Sequence, residues 1–214
     1  MIMQLIVTIF LQIIGFLYLY FLEFRDTIKI RKFWMQFFAS VIFSLFVFLI
    51  TKKMSTNLLD FTRIMIAYEL LLVIAIIDYR KRIIPNALIL LGSVLQLVLF
   101  FPIEFIYFKT NMREMFLNSL LGCIMGGGIL LFVYFFSKQA IGMGDIKLVS
   151  LIGFLFGSDF AFSVLFFGII AASIAGIYLL LIKRKKKNDT IPFAPFILMG
   201  YIASIALIYS IYSI

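Results

Sequence analysis

Gly142-Met143-Gly144-Asp145-Ile146-Lys147 breaks a chain that is otherwise dominated by apolar residues. Two glycines set a carboxylate where the apolar segment Leu148 to Phe156 resumes. A second such point is Asp78, which closes the run Leu70 to Ile77 and precedes Tyr79-Arg80-Lys81-Arg82-Ile83-Ile84-Pro85-Asn86. Ionisable groups at membrane depth are costly and usually functional, so the reading of the chain starts from these two aspartates.

Of 214 residues, 64% are hydrophobic and only 14% charged, with a mean hydropathy of +1.17. A soluble domain of this length could not bury so much apolar surface, which makes the class a polytopic membrane protein. At roughly 20 residues per span, the length allows about eight transmembrane helices and no soluble domain in the remaining loops. The expected fold is therefore an all-α transmembrane bundle forming one domain over residues 1–214. One cysteine, Cys123, and no histidine exclude a Cys/His zinc site, an intramolecular disulfide and any His-based triad. The net charge of +9 would suit nucleic acid, but the basic residues sit in short loops between apolar runs. That is the pattern of cytoplasmic anchors, and no nucleic-acid partner is expected.

In chain order the apolar runs are Ile2 to Leu22, Phe33 to Thr51 with Trp34 at its basic end, a short Ile64 to Asp78, and Ala87 to Phe101 ended by Pro102. Phe116 to Phe136 follows, with Gly126-Gly127-Gly128 permitting close helix approach or a local break. After the glycine-bearing loop Ser137 to Lys147 come Leu148 to Phe156, Phe160 to Ile182 and Ile191 to Tyr212. The first run lacks the basic start and small-residue cleavage site of a signal peptide. The loops 23–32, 79–86, 137–147 and 183–190 hold fourteen of the nineteen Lys and Arg residues, and the loops 52–63 and 104–115 hold five. This asymmetry puts the first set in the cytoplasm and both termini outside. Asp78 then ends an inbound span and Asp145 begins an outbound one, at the same face and similar depth.

Taken singly, Asp145 could serve only as a helix N-cap, and Asp78 only as the surface partner of Arg80 or Arg82. Two lone aspartates at matched depth, one behind Gly-x-Gly, suit a paired-carboxylate site better. Neighbouring carboxylates cannot both ionise easily and so share a proton. One can then activate water while the other protonates a carbonyl oxygen, with no metal, serine or cysteine required. Gly142 and Gly144 would let a substrate backbone approach closely.

Asp78 with Ile84-Pro85-Asn86 downstream, followed by Gly142-Met143-Gly144-Asp145-Ile146-Lys147, resembles the type IV prepilin peptidases, which are Gly-x-Gly-Asp intramembrane aspartic proteases. Pro192-Phe193-Ala194-Pro195 resembles the family's late Pro-Phe-x-Pro element. The resemblance implies that Asp78 and Asp145 are the catalytic pair and that no cofactor is needed. It also implies a prepilin or pseudopilin precursor as substrate, cut at the cytoplasmic face of a bacterial inner membrane. Many bacterial members also N-methylate the new terminus and carry a large cytoplasmic loop between the first two spans, often with paired cysteines. Here that position is only Glu23 to Lys32, without cysteine, so N-methylation is expected to be absent.

Around the pair, Lys147 either favours an ionised dyad and holds substrate or serves as a cytoplasmic anchor. Pro85 and Asn86 start the next helix beside the site. Arg80, Lys81 and Arg82 read as topology determinants. Glu69, nine residues before Asp78, faces the opposite side of its helix at about 100° per residue and contacts another span or snorkels outward. The competing reading is a transporter or channel whose buried carboxylates pass protons or cations. That reading expects mid-membrane carboxylates and internal repeats, whereas Asp78 and Asp145 stand at span ends and the sequence displays no clear repeat. A presenilin-like protease would carry a Pro-Ala-Leu element, which is absent.

Overall fold

The computed structural model describes residues 58–109, 111–136, 141–182 and 191–212, together with short helical pieces within 8–18 and 41–49. The loops 23–32 and 183–190, most of the two N-terminal apolar runs with Trp34, and residues 137–140 lie outside the described residues. Among those described, all regular structure is helical. The helices are α1 (Leu58–Lys81), α2 (Asn86–Leu95), α3 (Phe101–Phe108), α4 (Met112–Phe136), α5 (Met143–Phe156), α6 (Ser158–Leu181) and α7 (Ala194–Tyr212). A single π turn, Gln96–Phe100, joins α2 to α3.

Among the described residues, three helical stretches are long and apolar enough to cross a membrane: Asn86–Tyr107, Met112–Phe136 and Ser158–Leu181. Large apolar side chains on them, such as Val98, Phe132 and Ile174, stand exposed. In a membrane protein such a surface faces lipid rather than water. The α1 helix has the length of a span but carries Arg63, Glu69 and Asp78. The α5 helix has 14 residues, about 21 Å at 1.5 Å per residue, which falls short of a hydrocarbon core of roughly 30 Å.

Several sequence boundaries move. The expected loops Lys52 to Arg63 and Ser137 to Lys147 shorten, because helices already begin at Leu58 and Met143. Pro102 does not end its span: the helix runs on through α3 to Phe108. Proline has no N–H to give and its ring crowds the carbonyl four residues back. The π turn just before it relaxes that spacing, and the Phe101 N–H reaches the Gln96 carbonyl, five residues back. The expected loop Glu104 to Met115 shrinks in turn. The chain reverses at Lys109, which adopts the left-handed conformation (φ 49°). Asn111 then starts α4 by accepting the Arg113 N–H at 3.2 Å.

The chain divides into two compact units, Met1–Val73 with Ile205–Ile214, and Ile74–Ser204. In the first, Val47, Phe48, Phe61, Met65 and Tyr68 are buried, with Phe48 and Phe61 edge to face at 5.6 Å. Ser44 Oγ donates to Gln12 Oε1 at 2.8 Å. Glu69 is buried in this unit rather than snorkelling outward.

The second unit holds the site. Its α4 helix lies along α5 and α6, and α2 lies along α5. Glycines set the spacing: a Cβ on Gly153 would meet the Gly122 carbonyl oxygen, and one on Gly122 the Gly153 oxygen, so α4 and α5 touch backbone to backbone. The helix stays unbroken through Gly126-Gly127-Gly128. Of the two roles expected for that run, it plays close approach, with Gly126 facing Val149 and Gly127 facing Ser150. Gly157, at φ 87°, takes the left-handed turn between α5 and α6 that a side chain would strain. Gly200 brings α7 against Val164 and Gly168 of α6, and Tyr201 packs on Phe156 and Phe160 at 5.9 and 5.5 Å.

Candidate active site

Asp78 sits in the last turn of α1, whose Arg80 and Lys81 complement the helix dipole. The helix stops at Arg82, a non-glycine residue at φ 54°, whose N–H closes on the Asp78 carbonyl at 2.8 Å. Pro85 holds an extended conformation (φ −67°, ψ 122°) and precedes α2. Its ring also disfavours helical geometry at Ile84. The turn therefore leaves Arg82 to Pro85 stretched beside Asp78 instead of continuing the helix.

Asp145 occupies the first turn of α5, three residues after the N-cap Gly142. Its Oδ2 accepts the Gly142 N–H at 3.3 Å, while its own N–H reaches the Gly142 carbonyl at 3.1 Å. Asp145 is thus an acid in the first turn rather than the N-cap itself, and its carboxylate partly satisfies the helix start. Gly144 lets the loop sit close, since a Cβ there would stand 3.0 Å from Ile84 Cβ and press it back. The glycine loop and the Ile84-Pro85-Asn86 segment are fitted against each other.

These parts enclose one cleft of about 380 Å³, lined by Asp78, Arg82, Ile83, Ile84, Asn86, Gly142, Met143, Gly144, Asp145 and Lys147. Of the candidate residues named from sequence, all but Pro85 line it. Pro85 acts behind it by shaping the segment that does. Lys147 directs its ammonium to Asn86 Oδ1 at 3.0 Å, linking α5 to the start of α2. Glu69 is not among the lining residues.

Both carboxylates lie outside the three candidate spans. Burial pushes Asp145 up to about 6, the Asp78 charge adds to the rise, and the Gly142 N–H opposes it. Asp78, only 6% exposed, is also raised, chiefly by burial, but the backbone N–H groups of Ala194 and Phe193 and the Arg82 guanidinium pull it back. The Ala194 N–H donates to Asp78 Oδ2 at 3.0 Å. Carboxylates that act on each other across a shared cleft can share one proton over a range of pH. Among the described residues, no group of three or more His, Cys, Asp or Glu side chains could hold a metal ion. Sequence reasoning offered Arg82 as a partner of Asp78, and its guanidinium does act on that carboxylate. It missed the Ala194 backbone, which was signalled only by the Pro-Phe-Ala-Pro element.

A family model described as the type IV leader peptidase family matches residues 65–180, more than half of the chain. The chain is similar to a prepilin leader peptidase/N-methyltransferase of Bacillus subtilis (strain 168), with 28% identity over 134 residues covering 63% of this chain and 51% of the relative. It is also similar to a protein of that same name from Pseudomonas putida, with 27% identity over 139 residues covering 62% of this chain and 46% of the relative. The chain thus spans about half the length of the curated relatives it matches. No solved structure matches it.

Proposed function

The chain belongs to the type IV leader peptidase family, and from that premise we propose that it is a membrane aspartic endopeptidase. It removes the short basic leader from prepilin-like precursors at the cytoplasmic face of a bacterial inner membrane. The observation that carries this reading is that Asp78 and Asp145, from the ends of two different helices, open onto one cleft. Asp78 closes the apolar run Leu70 to Ile77 and Asp145 precedes the apolar run Leu148 to Phe156, which supports a cut at the membrane surface. There a leader can stay in water while the apolar helix behind it stays in lipid.

The half-protonated pair performs general acid–base hydrolysis. One carboxylate takes a proton from water, and the other protonates the carbonyl oxygen of the scissile bond. The rate rises as the pair loses its first proton and falls as it loses the second, a bell whose limbs belong to the pair. With Asp145 raised to about 6, the alkaline limb lies above the ordinary carboxylate range. The pair needs no metal, so activity should persist in a chelator. Its loss on chelation and return with added metal would overturn the aspartic mechanism.

The enzyme cleaves without N-methylating the product. The motivation is the ten-residue, cysteine-free segment 23–32 between the first two apolar runs. Co-expression with a candidate prepilin tests both claims. A size shift that requires both aspartates is expected, and mass spectrometry of the product should find an unmodified N-terminus. An added methyl group would refute the second claim. The loop Ser137 to Lys147 faces the cytoplasm and Lys52 to Arg63 the outside. In a Cys123→Ala background, an impermeant thiol reagent applied to intact cells should label a cysteine in the second loop and not in the first.

A further inference from the structure

The late element Pro192-Phe193-Ala194-Pro195 has no part in the acid–base scheme so far, yet its backbone touches the pair directly. Ala194 is the first residue of α7, it is fully buried, and its N–H donates to Asp78 Oδ2 at 3.0 Å in a buried bond. The first N–H groups of a helix have no partner within it, and the helix dipole adds positive potential at that end. Asp78 therefore serves as the acceptor that α7 would otherwise lack. The Arg82 guanidinium acts on the same carboxylate from the end of α1. Asp145 has a weaker arrangement, with one N–H, that of Gly142, at 3.3 Å. The other charged groups lining the cleft are Asp145 itself and Lys147, both from α5, and Lys147 is turned to Asn86. On the α2 side the cleft presents the neutral Asn86.

We propose that the start of α7 is a working part of the dyad: its N–H groups select Asp78 as the carboxylate that stays ionised and activates water, and leave Asp145 holding the shared proton. The water oxygen bonds to the scissile carbonyl carbon, its proton passes to Asp78, and the Asp145 proton passes to the carbonyl oxygen. A neutral gem-diol results. On collapse the C–N bond breaks, Asp78 gives its proton to the departing amine, and Asp145 recovers one from the diol hydroxyl. Ala194 is a positioning residue in this scheme, acting through Asp78. The scheme rests on the aspartic-peptidase reading above.

Ala194→Pro removes the N–H at a helix position where proline is well tolerated, and Ala194→Gly keeps it. The acid limb of kcat/KM reports the first proton lost by the free enzyme. It should move up by about one pH unit in Ala194→Pro, the size expected for losing one hydrogen bond to a carboxylate, and stay in place in Ala194→Gly. An unmoved acid limb in active Ala194→Pro enzyme, or a shift confined to the alkaline limb, would overturn the assignment. Should the added ring prevent folding, the order of titration decides without it. Carbon NMR of protein labelled at the aspartate carboxyl carbon, with signals assigned through Asp78→Asn and Asp145→Asn, should find Asp78 ionising at lower pH than Asp145. The reverse order overturns the proposal even if both Asn variants are inactive. Cleavage by either Asn variant would instead sink the peptidase assignment.

Discussion

The α5 helix has two very different ends. From Val149 to Gly153 it lies against α4 backbone to backbone, with no room for a single added carbon at Gly122 or Gly153. At Asp145 it opens into a cleft of about 380 Å³ where Asp78, Arg82, Asn86 and Lys147 stand beside the apolar Ile83, Ile84 and Met143. The seam is closed by the absence of side chains, and the cleft is built from their chemistry. A carboxylate must be held to a fraction of an ångström to act on a proton, and anchoring its helix through glycine contacts achieves that without filling the site. The difference teaches that fold and catalysis draw on separate residues of one short helix, and that claim can be broken.

The largest effect should come from the cleft. Asp78→Asn and Asp145→Asn should each lower cleavage by roughly 10³-fold or more while the protein inserts and melts as before. A lowered melting midpoint in either would mean that the pair also carries fold. Next, Gly122→Leu or Gly153→Leu forces the α4 and α5 backbones apart, and should cost more than about 4 kcal/mol. Thermal melting in detergent should fall and activity should fall with it. A variant that melts normally but is inactive would put the seam among the catalytic parts. Gly144→Ala is intermediate, since Ile84 must yield a few tenths of an ångström. Activity should drop about tenfold from the displaced loop, with melting unchanged. The smallest effect belongs to Lys147→Met. It removes an exposed hydrogen bond to Asn86, worth about 1 kcal/mol or less, and should raise KM by up to about fivefold with kcat nearly kept.

The sequence made the aspartates legible because charge is rare in this chain and each interrupts an apolar run at the end of a helix. Loop charge led to the expectation that both lie at one membrane face, and both do line one cleft. Gly142 and Gly144 were read as room for a substrate backbone, whereas the groups that stand against them are the Asp145 carboxylate and Ile84, which composition did not announce. Helix boundaries were less visible. A proline after an apolar run reads as a stop, and nothing local announced that Gln96 to Phe100 would widen and carry the helix past Pro102. Arg82 was legible as a cytoplasmic charge or a partner of Asp78, but the left-handed φ with which it ends the helix leaves no trace in composition. The Ala194 N–H is a backbone group that has no letter of its own, and only its motif hinted at it.

The π turn has a consequence for how the span Asn86–Tyr107 meets its surroundings. Each extra residue in a turn advances the chain by about 100° relative to an ideal helix. The inward positions Leu88, Gly92 and Gln96 follow a four-residue step. The pattern then resets at the adjacent pair Phe100 and Phe101, where Phe101 meets Phe116 of α4 and Phe154 of α5. The span is therefore written in two phases, one keyed to the cleft at its start and the other to the far end of the bundle. Deleting one residue between 96 and 100 would merge the phases and turn Phe101 out of its slot, so the length of this segment is as much a part of its specification as its hydrophobicity.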